Sequence, residues 1–250
     1  MCRSKYIVVF ILFLLAPGLN AQKVSLVLSG GGAKGLAHIG VIKALEENGI
    51  PIDNVSGTSM GAIIGGLYAM GYSPDEMVKL FKTRDFYNWS KGIIDESLKY
   101  NINDFSSSDA ENLSVGLVLT SKGIKPNVAS SFIPTVGMDI AFDDLFSQGT
   151  SLSGGDFNKL FVPFRCNASD VVGKNIVYFR NGDLGRSIRT SMTFPLYYKP
   201  IYVDSLLLFD GGIYNNFIWP EALKEFSPDF IIGSKVANNA NITSDDDPFE

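Results

Sequence analysis

Two glycine motifs separated by one predicted helix constrain this chain more than any other feature. Gly30-Gly31-Gly32-Ala33-Lys34-Gly35 follows the run Val24–Leu28, apolar apart from Ser25. Gly57-Thr58-Ser59-Met60-Gly61 follows a second, shorter run. The second motif is G-x-S-x-G, which sets a serine on a sharp strand-to-helix turn with its hydroxyl exposed. The first can offer backbone N–H groups left without partners at a helix N-terminus, a cradle for an oxyanion. A nucleophile and an anion cradle in neighbouring β-turn-α units point to acyl transfer or ester hydrolysis.

The surrounding pattern predicts an α/β sheet. Val24–Leu28 suits a strand covered on both faces, as in a parallel sheet. Residues 33–48 carry Leu36, Ile39, Ile42 and Leu45 at helical spacing, and Gly49 supplies a stop. A short strand over 50–56 and a helix over 60–70 complete a strand-helix-strand-helix order with right-handed crossovers. Ser73-Pro74-Asp75-Glu76 opens a further helix with a capping box. Residues 84–112 read as irregular and polar. Strands are expected over 113–119, 159–168, 176–179 and 206–209, with a late buried strand over 229–233. A helix is expected over 137–146. The core domain is placed at 22–237. Residues 238–250, rich in Asn and Asp, are a polar tail or the start of a further region.

Residues 1–21 have the makings of a secretory signal. Arg3 and Lys5 precede the uncharged run Ile7 to Ala16, which is too short to span a bilayer, and Ala21 is a plausible cleavage residue. Removing Arg3 and Lys5 takes the net charge from -5 to -7. Such a balance argues against a nucleic-acid partner. Of the two cysteines, Cys2 lies in this segment, so Cys166 has no internal disulfide partner and reads as a small buried apolar residue.

Ser59 needs a base, and two residues compete. His38 is the chain's only histidine and sits in the helix after the glycine loop. Asp210 ends the run Leu206-Leu207-Leu208-Phe209 and precedes Gly211-Gly212. At the carboxyl edge of a sheet it can face a cleft. A carboxylate serves as a base near neutral pH only where desolvation raises its pKa, so a Ser59–Asp210 dyad predicts a partly apolar surround. The main rival is a dinucleotide site. Gly30, Gly32 and Gly35 satisfy G-x-G-x-x-G, and Asp53 follows Gly35 by 18 residues. That reading leaves Ser59 and Asp210 without a purpose.

Gly30–Gly35, then Gly57–Gly61, then Asp210-Gly211-Gly212, with Ser187–Pro195 ahead of the aspartate, resemble the patatin-like phospholipase family in its bacterial, secreted form. The resemblance runs from about Val24 to Gly233. It implies a three-layer α/β/α hydrolase with a mostly parallel central sheet, no cofactor and no metal in the catalytic step. Carried over by position, it makes Ser59 the nucleophile and Asp210 the base. Gly30, Gly31, Gly32, Ala33, Lys34 and Gly35 form the oxyanion loop, Gly57, Thr58, Met60 and Gly61 the elbow, and Gly211 and Gly212 the turn beyond the base. The expected substrate is a phospholipid or other fatty-acyl ester, met at a membrane surface. A general carboxylesterase or transacylase, or a catalytically silent lipid-binding domain, are the alternatives. His38 reads as a packing residue, and Arg189 as a scaffold ion-pair partner, with contact to a substrate phosphate as the alternative. Phe194, Tyr197, Tyr198 and Trp219 read as core or as acyl-pocket lining.

Overall fold

The computed structural model describes residues 22–93, 115–120, 123–128 and 133–237. The expected signal segment, the tail and residues 94–114 lie outside the described residues.

The first strand, β1 (Val24–Leu28), is buried along its whole length. Its side chains alternate as a pleated strand requires. Leu26 and Leu28 join one core, and Val27 joins a second on the opposite face. A 3₁₀ turn over Gly32–Leu36 leads into α1 (Ala37–Glu47). Then come β2 (Asn54–Gly57) and α2 (Met60–Ala69). Helix α2 is buried from Gly61 to Ala69, which fits its apolar composition on all sides. Next is α3 (Pro74–Phe81), where Ser73 and Glu76 close the expected capping box.

Residues 84–91, expected to be irregular, form α4 (Arg84–Lys91). Thr83 caps it by accepting the Phe86 N–H, and Gly92 ends it in the left-handed conformation. The polar composition hid the signal, because the helix has no fully buried residue. The hairpin β3 (Val115–Thr120) and β4 (Gly123–Val128) forms a separate two-stranded sheet. Helix α5 (Val136–Ser153) extends the predicted 137–146 by two turns. The remaining elements are β5 (Phe164–Asp170), β6 (Asn175–Phe179), α6 (Leu184–Ser191), β7 (Ile201–Val203), β8 (Leu206–Asp210), α7 (Trp219–Phe226) and β9 (Phe230–Ser234).

The main sheet has seven strands in the order β7-β8-β5-β2-β1-β9, with β6 also paired to β5. It is mixed rather than mostly parallel. The pairings β1–β2, β1–β9 and β2–β5 are parallel, and β5–β6, β5–β8 and β7–β8 are antiparallel. Strand β9 is an edge strand and only half-covered, with Phe230 53% exposed, so the expected burial of 229–233 does not hold.

The large core lies between one sheet face and α1, α2, α3, α5 and α6, and includes Phe146, Phe157 and Phe164. On the other face Val27, Ile218 and Ala222 form a small core under α7. Ion pairs reinforce that thin layer. Arg165 on β5 and Arg180 both reach Glu225 on α7, at 3.1 and 2.8 Å, and Arg180 also reaches Glu221 at 2.8 Å. The Arg165 guanidinium stacks on the Phe226 ring at 4.7 Å. Cys166 is fully buried and burial pushes its thiol pKa up, so it is an inert core residue.

Candidate active site

The elbow is built by close backbone approach. A Cβ on Gly57 would strike the Gly61 carbonyl, and one on Gly61 would strike the main chain of Leu28 and Ser29. Neither position tolerates a side chain without moving β1 or α2. Ser59, between them, adopts φ 54, ψ −120, a strained conformation for a non-glycine residue. It occupies the N-cap position of α2, and its neighbour Met60 begins the helix. Thr58 N–H donates to Leu28 O at 3.1 Å and ties the turn to β1.

Ser59 Oγ donates to Asp210 Oδ2 at 2.7 Å across 151 residues of chain. Asp210 Oδ1 accepts the Gly212 N–H at 2.7 Å. The carboxyl is 5% exposed. Burial drives its pKa up to about 6 against the pull of those two hydrogen bonds. This is the desolvated base that a serine–aspartate pair requires. Asp210 ends β8, but β8 runs antiparallel to β5, and Ala168 is its partner. The base therefore arrives at the carboxyl edge of β1, β2 and β5 from the opposite direction, not as the end of another parallel strand.

His38 is not within this pair's hydrogen bonding. Its Nε2–H donates to Ser29 O at 2.8 Å, which leaves Nδ1 to accept the Ser234 hydroxyl at 2.7 Å. Both nitrogens are committed, and burial lowers the pKa, so the ring is neutral. It fastens the end of β1 to β9, the packing role expected of it.

The six residues of the glycine loop divide by what their main chain does. The first hydrogen bond of the turn runs from Lys34 N–H to Gly31 O at 3.2 Å. The N–H groups of Gly31, Gly32 and Ala33 precede it and have no partner within the turn. Gly32 takes φ +51, the left-handed region that favours glycine. Gly30 N–H is spent on Asn216 O at 3.3 Å, and Gly30 O accepts Asn216 Nδ2 at 3.3 Å. Gly35 is buried against Met60. Lys34 is exposed. As an anion cradle the loop thus offers the three N–H groups of residues 31–33, while Gly30 and Gly35 seat it.

Asp53 disposes of the dinucleotide alternative. Its Oδ2 accepts the Val24 N–H at 2.6 Å, and its own N–H donates to Val24 O at 2.9 Å. It is fixed at the start of β1, while the glycine loop follows the other end of that strand. A ribose held near residues 30–35 is out of its reach.

Several polar residues at the site were not singled out by sequence, although Ser191 and Thr193 lie in the Ser187–Pro195 stretch. Ser191 Oγ accepts the Ser59 N–H at 3.0 Å. Thr193 O accepts the Asp210 N–H at 2.8 Å. Thr58 Oγ1 donates to Asn167 Oδ1 at 2.7 Å, and Asn167 Nδ2 donates to Asn215 O at 2.9 Å. For Asn215, the Asn215-Asn216 pair two residues beyond Asp210-Gly211-Gly212 was the available hint. Arg189 is a scaffold residue as expected, paired to Asp139 at 2.8 Å and stacked on Tyr198 at 4.9 Å. Tyr198 is buried, whereas Phe194, Tyr197 and Trp219 are 44–49% exposed and are not core.

The chain is similar to known proteins in sequence. The family model for patatin-like phospholipase matches residues 26–223. Human patatin-like phospholipase domain-containing protein 6 is 31% identical over 206 residues, 81% of this chain and 12% of that protein. Lysophospholipase nte1 of Emericella nidulans is 33% identical over 207 residues, 81% of this chain and 11% of that one. An NTE family protein of Mycobacterium tuberculosis is 31% identical over 197 residues, 78% and 44% of the two chains. The chain thus spans under half the length of each. These relatives are animal, fungal and mycobacterial, so the likeness is not confined to a bacterial, secreted form. Among solved structures, VipD from Legionella pneumophila superposes with a TM-score of 0.46 at 15% identity, covering 78% of this chain and 46% of that one. With a family model covering most of its length, and the motifs of that family drawn together in space, the chain belongs to the patatin-like phospholipase family.

Proposed function

We propose that this protein is a serine lipid acyl hydrolase of the phospholipase A type, working through a Ser59–Asp210 dyad and an acyl-serine intermediate. The observation that carries the reading is the 2.7 Å hydrogen bond from Ser59 Oγ to a carboxylate whose burial lifts its pKa to about 6. Asp210 takes the hydroxyl proton as Oγ attacks the ester carbonyl carbon. The oxyanion so formed is held by the N–H groups of Gly31, Gly32 and Ala33. The intermediate collapses, the C–O bond to the alcohol breaks, and Asp210 returns the proton to the departing oxygen. Water then attacks the acyl-serine with Asp210 again as base, which frees the fatty acid and restores Ser59. Losing one oxyanion donor would cost about 10²–10³ in rate.

The substrate is met at a membrane surface. Three segments adjoin the site: 31–37 holds the glycine loop and packs on Met60, 194–199 follows Thr193, whose carbonyl bonds Asp210, and 211–214 follows Asp210. Leu36, Phe194, Leu196, Tyr197, Ile213 and Tyr214 on them are each more than a third exposed. The only charges on these segments are Lys34 and Lys199, in a chain whose net charge is -5. An apolar rim with two cations suits acyl chains below phosphate headgroups. Residues 1–21 direct the chain to export.

The test is hydrolysis of a fluorogenic phospholipid beside a soluble short-chain ester, by wild type, Ser59→Ala and Asp210→Asn, with folding followed by circular dichroism. Cleavage by wild type and silence of both folded variants is the expected result. A wild type silent on both substrates and unlabelled by a fluorophosphonate overturns the enzyme reading and leaves a lipid-binding domain. Cleavage of the short ester alone makes the protein a general carboxylesterase.

A further inference from the structure

The end of α6 touches both members of the dyad. Ser191, its last residue, accepts the Ser59 N–H through its side chain at 3.0 Å. Thr193, two residues on, accepts the Asp210 N–H through its main chain at 2.8 Å. Between these contacts the chain turns tightly, with Thr193 N–H bonded to Thr190 O at 3.1 Å. Arg189 locks the segment. Its Nη1 donates to Thr193 Oγ1 at 2.9 Å, its Nε donates to Asp139 on α5 at 2.8 Å, and its guanidinium lies over Tyr198. Arg189, Ser191 and Thr193 are all buried, so little room exists for this bracket to shift.

We propose that Ser191 is a positioning residue of the reaction: its hydroxyl oxygen fixes the main chain of the nucleophile relative to the base, and Arg189 and Thr193 hold that oxygen in register. This rests on the dyad reading above. Ser59 sits in a strained conformation, and its own side chain makes no cap hydrogen bond to α2. The Ser59 N–H follows that of Thr58 in the elbow, and Ser191 Oγ is the acceptor that meets it. Removing that oxygen leaves a partly buried N–H without its partner and lets the turn relax. The relaxation moves Oγ relative to Asp210 Oδ2 and to the N–H groups of residues 31–33, where about 1 Å of misplacement costs about 100-fold. The buried Ser191 side chain is no part of the exposed rim, so the defect is expected in kcat and not in KM.

The experiment uses the full chain, a soluble short-chain ester and active-site titration with a fluorophosphonate. Wild type, Ser191→Ala and Ser191→Cys are compared. Cysteine fills the space but is a weak acceptor. Both variants are expected to lose about 30- to 100-fold in kcat per titrated site. KM is expected to stay within about twofold, and the acidic limb of the pH profile should not move. Should Ser191→Ala fold poorly, Ser191→Cys carries the measurement alone. A purely structural role lowers the titratable fraction and leaves kcat per site intact. Rates per site within about twofold of wild type in both variants, or full recovery in Ser191→Cys, overturn the proposal while the dyad stands. A wild type that neither turns over nor labels overturns both.

Discussion

The two halves of the main sheet supply different parts of the site by different means. In the parallel half, β1 and β2 each end in a glycine turn and a helix, so the proposed anion cradle and nucleophile come from adjacent, sequence-local units. In the antiparallel half, Asp210 is delivered by β8 against β5, and its place depends on Thr193, Gly212 and the Asn167–Asn215 contact. The first half is specified by short-range backbone geometry. The second is specified by contacts between residues far apart in the chain. Chemistry that needs both halves inherits the rigidity of the one and the assembly demands of the other.

Substitutions can break this contrast at graded cost. The largest effect is expected at the junction. Ser59→Ala should reduce ester hydrolysis by about 10⁴-fold or more, and Asp210→Asn by about 10³-fold or more, read as kcat/KM on a soluble ester. Next comes the parallel half itself. Gly61→Ala forces a side chain into the Leu28–Ser29 main chain and should destabilise the fold by about 3 kcal/mol or more in a urea titration.

The third test sharpens the comparison through pH. The Asp210 carboxyl is raised from 3.8 to about 6, so the native state holds a proton that the unfolded chain releases. Stability therefore falls as pH rises from about 4 to about 6, by up to about 3 kcal/mol, and stays lower above that. Asp210→Asn should melt higher than wild type at pH 8 and lose that advantage below pH 4. Activity runs the other way, since the base must be ionised: kcat/KM should fall as pH drops through about 6. His38 opposes Asp210 in stability. Its lowered pKa means the unfolded chain binds the extra proton, so its contribution is lost as pH falls below about 6.5. The smallest effect belongs to the thin layer. Glu225→Gln removes the charge shared by Arg165 and Arg180 and should cost about 1–2 kcal/mol. Faster amide exchange should then appear in α7 before the large core opens.

The same division explains what could be read from the amino acids. Gly57 and Gly61 announce the elbow because no other residue fits there. The alternation of Leu26, Val27 and Leu28 marks a doubly covered strand. The Ser73–Glu76 box is complete within four residues. Asp210 was legible as a candidate base, yet its antiparallel approach was not, because its direction against β5 is set by partners 38 to 42 residues away. Helix α4 went unread since its cap, Thr83, precedes a polar stretch with no buried face. Ser191 and Asn216 are ordinary polar letters in sequence. Only the fold brings the one against Ser59, 132 residues away in the chain, and the other against Gly30, 186 residues away.

Strand β9 carries a practical consequence. The family match stops at 223, but β9 spans Phe230–Ser234, hydrogen-bonds the full length of β1 and supplies the hydroxyl that His38 Nδ1 accepts. A chain trimmed at the family boundary would expose the backbone edge of β1, the strand that bears the glycine loop. Such a bare edge is a template for strand pairing between molecules. Loss of activity on that truncation would then reflect aggregation, and would misplace the limits of the folding unit by a whole strand.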